Sequence, residues 1–139
     1  MSKKRKLFSF IALIVLTVFL CIVLFCGNIE YSYHDSYQDI YLLIDSNMYS
    51  DYMLYYDTIE ALEFREGDVS GMRVGGYGSF RLLMGWFENE EFGRYLRYTY
   101  YKPEACVIVT TNGKTLVLSA ETYEETQKLY ENLRTLTGH

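Results

Sequence analysis

The sequence has only two histidines and three cysteines in 139 residues, and each scarcity argues against a class of function. It contains no C-x-x-C pair, and Cys106 is the one cysteine outside the long apolar run near the N-terminus. Neither a zinc site nor an internal disulfide is therefore predicted, and Cys106 is expected to be a small buried side chain. A serine or cysteine nucleophile needs a general base, but His34 lies near the apolar run and His139 ends the chain. Neither histidine is expected to activate Ser79 or Cys106.

Metal and cofactor chemistry has equally little support. His34 is followed by Asp35 and Asp39, and one imidazole with two carboxylates at this spacing is a poor metal site. We predict no catalytic residue, no metal and no cofactor. An enzyme would require two of the eighteen carboxylates to meet in a cleft.

The stretch GGYGSFRLLMGWF, residues 75–87, has the glycines of a phosphate loop but not its pattern. Gly76-Tyr77-Gly78 supplies half of a dinucleotide fingerprint, Arg81 stands at the third glycine position, and no Gly-Lys-Ser/Thr follows. We predict a turn entering a bent strand, with Phe80 and Leu82 on one face and Arg81 and Leu83 on the other.

Several glycines are predicted to have structural roles, because they adopt unusual backbone angles or let a neighbouring strand approach closely. These are Gly75, Gly76, Gly78, Gly85, Gly93 and Gly113.

Residues Leu7–Cys26 form twenty consecutive residues without charge, proline or glycine. At about 1.5 Å per residue, a helix of this length crosses a bilayer core of roughly 30 Å. The run is longer than the apolar region of a cleaved signal peptide, and bulky residues stand where small ones precede a cleavage site. We therefore favour an uncleaved single-pass anchor. A cleaved signal and lipidation at Cys26, which follows the bulky Phe25, remain the alternatives.

Charge predicts the orientation of this anchor. Residues 1–6 hold four basic side chains, and the first one after the span is Arg65. The positive-inside rule then places the N-terminus in the cytoplasm and residues 27–139 outside it, in the cell membrane. The outer part has nine Lys/Arg and eighteen Asp/Glu, a formal charge of 9 − 18 = −9, which excludes nucleic acid as a partner.

The outer part divides into a tether and a domain. Residues 27–38 are polar but contain three tyrosines, and we predict an interfacial tether with an aromatic ligand surface as the alternative. Residues 39–139 are predicted to hold about seven short strands over 39–119 and one helix over about 121–137.

Two local signals define the end of the domain. Asn112-Gly113 between two β-like runs predicts a tight hairpin, because both turn residues need φ > 0. Thr122 followed by Glu125 is a capping-box pattern that starts an amphipathic helix. Strands followed by one helix favour an antiparallel barrel or sandwich whose open end the helix closes.

The order and spacing of several short pieces resemble bacterial pleckstrin-homology-like (PH-like) domains over about residues 48–137. The pieces are Tyr55–Leu62, Arg73–Phe80, Gly85–Phe87, Gly93, Cys106–Val109, Asn112–Lys114, Leu116–Ser119 and the Glu-rich helix. The resemblance implies two nearly orthogonal antiparallel sheets with seven strands in all and a C-terminal helix at one corner. It implies no catalytic residue, a binding or assembly role, and frequent combination with membrane spans.

Phosphoinositide binding is not expected despite this resemblance. PH domains that bind inositol phosphates use bases near the first hairpin loop, whereas Asp45–Asp51 has two acids and no base.

The leading hypothesis is a membrane-anchored extracytoplasmic module that binds a protein partner in the cell envelope. A sensor of a small molecule or peptide is the alternative, and an envelope enzyme is third. Tyr77, Arg81 and Trp86 are the candidate ligand or partner surface.

Overall fold

The computed structural model describes residues 2–38 and 40–139. Its described residues form two α-helices, nine β-strands and a short 3₁₀ turn at Tyr56–Thr58. The helices are α1 (Lys3–Phe25) and α2 (Tyr123–Thr137). The strands are β1 (Ile29–Asp35), β2 (Ile40–Ser46), β3 (Tyr52–Tyr55), β4 (Ile59–Glu66), β5 (Met72–Gly78), β6 (Leu82–Asn89), β7 (Gly93–Tyr100), β8 (Ala105–Thr111) and β9 (Lys114–Leu118).

The strands form two sheets, and the predicted mainly β fold with a helix at each end is confirmed. One sheet has the order β1-β2-β3, and the other has the order β4-β8-β9-β7-β6-β5. The two sheets form a sandwich rather than a closed barrel. All pairings are antiparallel except that of β7 with β9, which is parallel.

The described strands number nine rather than the predicted seven, because two further segments pair. β1 lies within residues 27–38, where a tether was predicted, and it pairs with β2 along its whole length. β5 contains the glycine-rich segment that was predicted as a turn, and it pairs with β6. Both segments have a weak strand pattern in the sequence, and each pairs with a neighbouring strand along the chain.

The main core lies between the two sheets and α2. Leu42 and Ile44 face Met84, Val107 and other fully buried side chains across it. Leu129 and Leu133 of α2 complete this core from one open side. The Thr122 hydroxyl accepts a hydrogen bond from the Glu125 N–H at 3.2 Å, so the predicted cap is confirmed.

A second core covers the other face of the six-stranded sheet. Val69, in the loop between β4 and β5, packs there on Phe87 and Tyr95. The guanidinium of Arg97 is buried beneath this loop with 1% of the residue exposed. It donates to the Val69 carbonyl, to a carboxylate oxygen of Asp68 and to the Thr99 hydroxyl. These contacts fix the loop to the sheet.

Glycine permits the close contact between β5 and β6. Gly76 (φ 122°) lies opposite Gly85 (φ 116°) in the register. A Cβ on Gly76 would lie 2.7 Å from the Gly85 Cα, and a Cβ on Gly85 would lie 2.7 Å from the Gly76 Cα. The register also shifts between Arg73 and Gly75, which bulges the strand. The structure therefore requires glycine at both positions.

The turn before β6 differs from the predicted strand. Phe80 and Arg81 precede β6, because the Ser79 hydroxyl accepts hydrogen bonds from the Arg81 and Leu82 N–H groups at 3.0 Å. Leu82 is fully buried, whereas Phe80 is exposed. The predicted alternation of faces therefore fails for Phe80 and Arg81 and begins only at Leu82.

Candidate functional site

Two of the three predicted surface residues contact the end of α1 instead of an open surface. The Tyr77 hydroxyl donates to the Val23 carbonyl at 2.5 Å. Arg81 donates through Nε to the Gly27 carbonyl at 2.6 Å and through Nη2 to the Asn28 side chain at 2.6 Å. These bonds form a junction between the end of the apolar helix and the six-stranded sheet.

Aromatic rings add to this junction. Phe80 stacks on Phe25 of α1 with ring centroids 5.9 Å apart and meets Tyr101 edge to face at 6.2 Å. Gly27 (φ 109°) makes the sharp exit from α1, where a Cβ would lie 2.7 Å from side-chain atoms of Leu82 and Met48. The end of α1 therefore packs tightly against Phe80 and Leu82, at the start of β6, and against Met48 in the turn between β2 and β3.

Trp86 is not part of this junction. It lies in β6, where it pairs with Gly75 of β5 and Leu96 of β7, and 40% of it is exposed. Its ring is available on the same sheet that carries Tyr77, but the structure does not gather Tyr77, Arg81 and Trp86 around one cavity.

A cavity of about 380 Å³ lies between β1 and α2. We call it the β1–α2 groove. The residues that define it are Tyr31 and Tyr33 on β1 and Glu125, Lys128, Leu129 and Asn132 on α2. Sequence reasoning missed this groove. The alternation of Ile29, Tyr31 and Tyr33 with polar residues was the available signal for β1.

The tyrosines of the groove have different environments. The Tyr31 hydroxyl donates to the Ser119 carbonyl at 2.6 Å, and burial raises its pKa well above the usual value. Tyr33 is 38% exposed, and partial burial raises its pKa while the Asn132 side chain opposes this effect. Both hydroxyls are therefore neutral hydrogen-bonding groups at physiological pH.

The charges around the groove are mostly negative. Among the described residues, Glu30, Glu121 and Glu125 line it, against the single base Lys128. Glu121 also pairs with Arg81 at 3.1 Å, at the boundary between the groove and the junction. All three glutamates are exposed. The arrangement suits the attraction of a positive group.

The residues considered above as nucleophiles or metal ligands take part in packing and in a turn. Burial raises the pKa of the Cys106 thiol to about 11, and the Ser79 hydroxyl holds the turn before β6. His34 stacks on Tyr41 with centroids 4.6 Å apart. The described residues contain no group of three or more His, Cys, Asp or Glu that could hold a metal ion, and Asp39 lies outside them.

Comparison with known proteins concerns most of the chain. The model of a family described as "Bacterial PH domain" matches residues 31–134, which run from β1 into α2. No curated protein and no solved structure shows significant similarity to the chain. The match agrees with the two-sheet fold and the C-terminal helix, and it covers the α2 wall of the β1–α2 groove and the β1 wall from Tyr31 onwards. The chain therefore belongs to the bacterial PH domain family.

Proposed function

We propose that this protein is a membrane-anchored, extracytoplasmic module whose PH domain binds a protein partner in the cell envelope. PH domains are generally non-catalytic interaction modules, and the family supports this class of function. The observation that carries the proposal is the β1–α2 groove, a concave surface with tyrosine and unequal charge on one side of the domain.

The properties of α1 support the anchor. It has 23 residues. An 18-residue stretch of it has a mean hydropathy of 3.1, and none of this stretch is buried against the rest of the protein. A signal sequence passes the same test of length and composition. The junction favours retention of the helix, because cleavage before Gly27 would remove the Val23 carbonyl and the Phe25 ring that Tyr77 and Phe80 contact.

The charge asymmetry supports an extracytoplasmic domain. Four basic residues precede the span and the acidic domain follows it. A test uses cysteine labelling in a Cys26→Ser background, with Tyr37→Cys at a fully exposed position after β1 and Lys4→Cys at the other end of the span. We expect an impermeant maleimide to label position 37 in intact cells and position 4 only after lysis. The reverse pattern would overturn the orientation.

The partner is tested by photocrosslinking in living cells. A photoreactive amino acid at Tyr33 should capture a discrete protein, while the same group at Arg94, exposed on β7, should not. Equal capture from both positions, or none from Tyr33, would contradict a partner in the groove.

The volume of the groove favours a second function, the sensing of a small molecule or peptide. Sites for small ligands commonly occupy about 300–1,000 Å³, and this cavity lies within that range at about 380 Å³. A sensor predicts that a defined envelope metabolite or peptide raises the thermal midpoint of the full chain, and that Tyr33→Ala removes this rise. Crosslinking of a protein at Tyr33 without any such ligand would favour the first function.

An envelope enzyme is the third candidate. The groove brings carboxylates together, as an enzyme would need, but they are exposed and Glu121 is paired with Arg81. We therefore assign these charges to binding.

A further inference from the structure

We propose that the partner contributes an extended segment that adds to the outer edge of β1 as a fourth strand, with a basic side chain directed to Glu125. This inference rests on the proposed function and names the binding mode and chemistry of the partner.

The direction of the backbone groups on β1 can be read from one hydrogen bond. The Ile29 N–H donates to the Tyr100 hydroxyl at 3.1 Å, so it points away from β2. In an antiparallel pair, alternate residues direct their N–H and C=O groups to the partner strand and the others direct them outwards. Tyr31 and Tyr33 follow at intervals of two residues, so their backbone groups also point away from β2, at the edge that borders the groove.

Other edges of the described sheets are less suitable for strand addition. β3 has only four residues. β5 has a register shift beside Gly75 and a positive φ at Gly76, which distort its ladder. α2 packs against β4. β1, in contrast, pairs with β2 over seven residues without a shift, so its outer edge is regular.

The groove has room and contacts for an added strand. Neighbouring strands lie about 4.8 Å apart, and every second side chain of the new strand would project beside Tyr33 and towards α2. Leu129 is buried at the α2 wall, and Asn132 lies beside it on the same wall. Backbone hydrogen bonds would supply affinity, and these side chains would select the sequence.

The charges select a basic segment. Three glutamates and one lysine line the groove, and Glu121 already pairs with Arg81. Among the described residues, Glu30 and Glu125 have no ion pair within 4.0 Å. A lysine or arginine of the partner beside Glu125 would balance this excess, whereas an acidic residue would be repelled.

The test uses the full chain in phospholipid nanodiscs and a displayed library of random 12-residue peptides. Enriched peptides are synthesised, and their dissociation constants are measured by fluorescence anisotropy. Tyr33→Pro removes the outward N–H without breaking the β1–β2 ladder, because proline is tolerated on the outer side of an edge strand. Tyr33→Ala is its matched control, since it removes the same side chain and keeps the N–H.

We expect enriched peptides with at least one Lys or Arg, and binding to Tyr33→Pro at least tenfold weaker than to Tyr33→Ala. Glu125→Lys should weaken binding at least tenfold, whereas Glu124→Lys, at an exposed position of α2 outside the groove, should not. No enriched peptide, enriched peptides without basic residues, or equal binding by the two Tyr33 variants would overturn the proposal.

Amide exchange in the unmodified protein gives a second measurement, and it does not depend on whether a substituted protein folds. Peptide binding should slow exchange at Tyr31 and Tyr33, while Ser32 and His34, which face β2, stay slow throughout. Unchanged exchange at Tyr31 and Tyr33 would overturn strand addition. If photocrosslinking at Tyr33 still captures a protein in that case, the binding module stands and only its mode is wrong. If crosslinking also fails, both proposals fail.

Discussion

Arg97 shows how one residue can fix a loop. Its guanidinium is buried under residues 67–71, lies 5.5 Å from the Phe87 ring centroid, and has Asp68 as its acidic partner. A buried cation needs hydrogen bonds to all sides, because removing one partner leaves an uncompensated charge. The loop therefore depends on this arginine for its position over the second core.

We expect Asp68→Asn to lower the free energy of unfolding by about 1–3 kcal/mol, since the hydrogen bond to Arg97 loses its charge and Asp68 is only partly exposed. Urea denaturation measures the change, with Asp57→Asn at an exposed position as the control. An unfolding free energy equal to that of the control variant would show that the ion pair contributes nothing.

Two buried acidic groups, the Cys106 thiol and the Tyr98 hydroxyl, make the free energy of unfolding depend on pH in the alkaline range. Burial raises the pKa of Cys106 to about 11 from 9.0, and that of Tyr98 to about 12 from 10.0. Folded-state pKa values above the unfolded ones mean that the stabilisation is complete below about pH 9 and is lost as pH rises through the folded values.

We therefore expect the unfolding free energy to fall between pH 9 and 12, by roughly 3 kcal/mol for Cys106 alone. Denaturation midpoints across this range measure the fall, and Cys106→Ala should reduce its slope. At pH 8 the Cys106 thiolate is roughly one part in a thousand, so iodoacetamide should modify it only after unfolding. Rapid modification of the folded chain would contradict this burial.

At the scale of elements, the pair β5–β6 depends on glycine at two facing positions. Gly76 and Gly85 both have positive φ and lie so close that neither can carry a Cβ. Gly75 is next in sequence, has no positive φ, and has no atom within 4 Å of the position that a Cβ would occupy. The two neighbouring positions, Gly75 and Gly76, therefore form a matched pair for comparison.

We expect Gly76→Ala to lower the free energy of unfolding by about 2–4 kcal/mol, because it adds backbone strain and overpacking. Gly75→Ala should change it by no more than about 0.5 kcal/mol. Urea denaturation compares the two variants. Equal effects would mean that the close approach of β5 to β6 is not required.

At the scale of the whole molecule, the junction decides how the domain is held against α1. Arg81 bonds Gly27, Asn28 and Glu121, and so connects the exit from α1 to the segment before α2. Because Glu121 also lines the β1–α2 groove, this arginine links α1 to the groove. If α1 spans a membrane, as we propose, a fixed junction would present the groove in one orientation relative to that membrane.

We expect Arg81→Ala to speed amide exchange in residues 26–29 roughly tenfold, since it removes the two hydrogen bonds that this segment receives at Gly27 and Asn28. Exchange in α2 should stay unchanged. Mass spectrometry of the full chain in nanodiscs measures both segments, and Arg94→Ala on exposed β7 is the control. Unaltered exchange at 26–29 would show that Arg81 does not hold the junction.

Local chemistry was enough to predict several elements. The apolar run predicted a helix long enough to cross a membrane, and α1 covers residues 3–25. Asn112 (φ 49°) and Gly113 (φ 72°) form the predicted turn between β8 and β9, because only such residues adopt these angles easily. The cap at Thr122 and the apolar period of α2 are equally local. Each of these features depends on residues within a few positions of one another.

The remaining features depend on contacts between distant residues. β1 and β5 became strands because a neighbour supplied their pairing, and the parallel β7–β9 pair joins segments that no short pattern connects. Tyr77 and Arg81 are residue types that often occur at binding surfaces, but in the folded protein they donate hydrogen bonds to backbone carbonyls at the end of α1. The sequence alone determined the long apolar helix, the β class and the local turns. Tertiary structure alone decided where the groove lies, because its two walls are about ninety residues apart in the chain and meet only when α2 closes the sandwich.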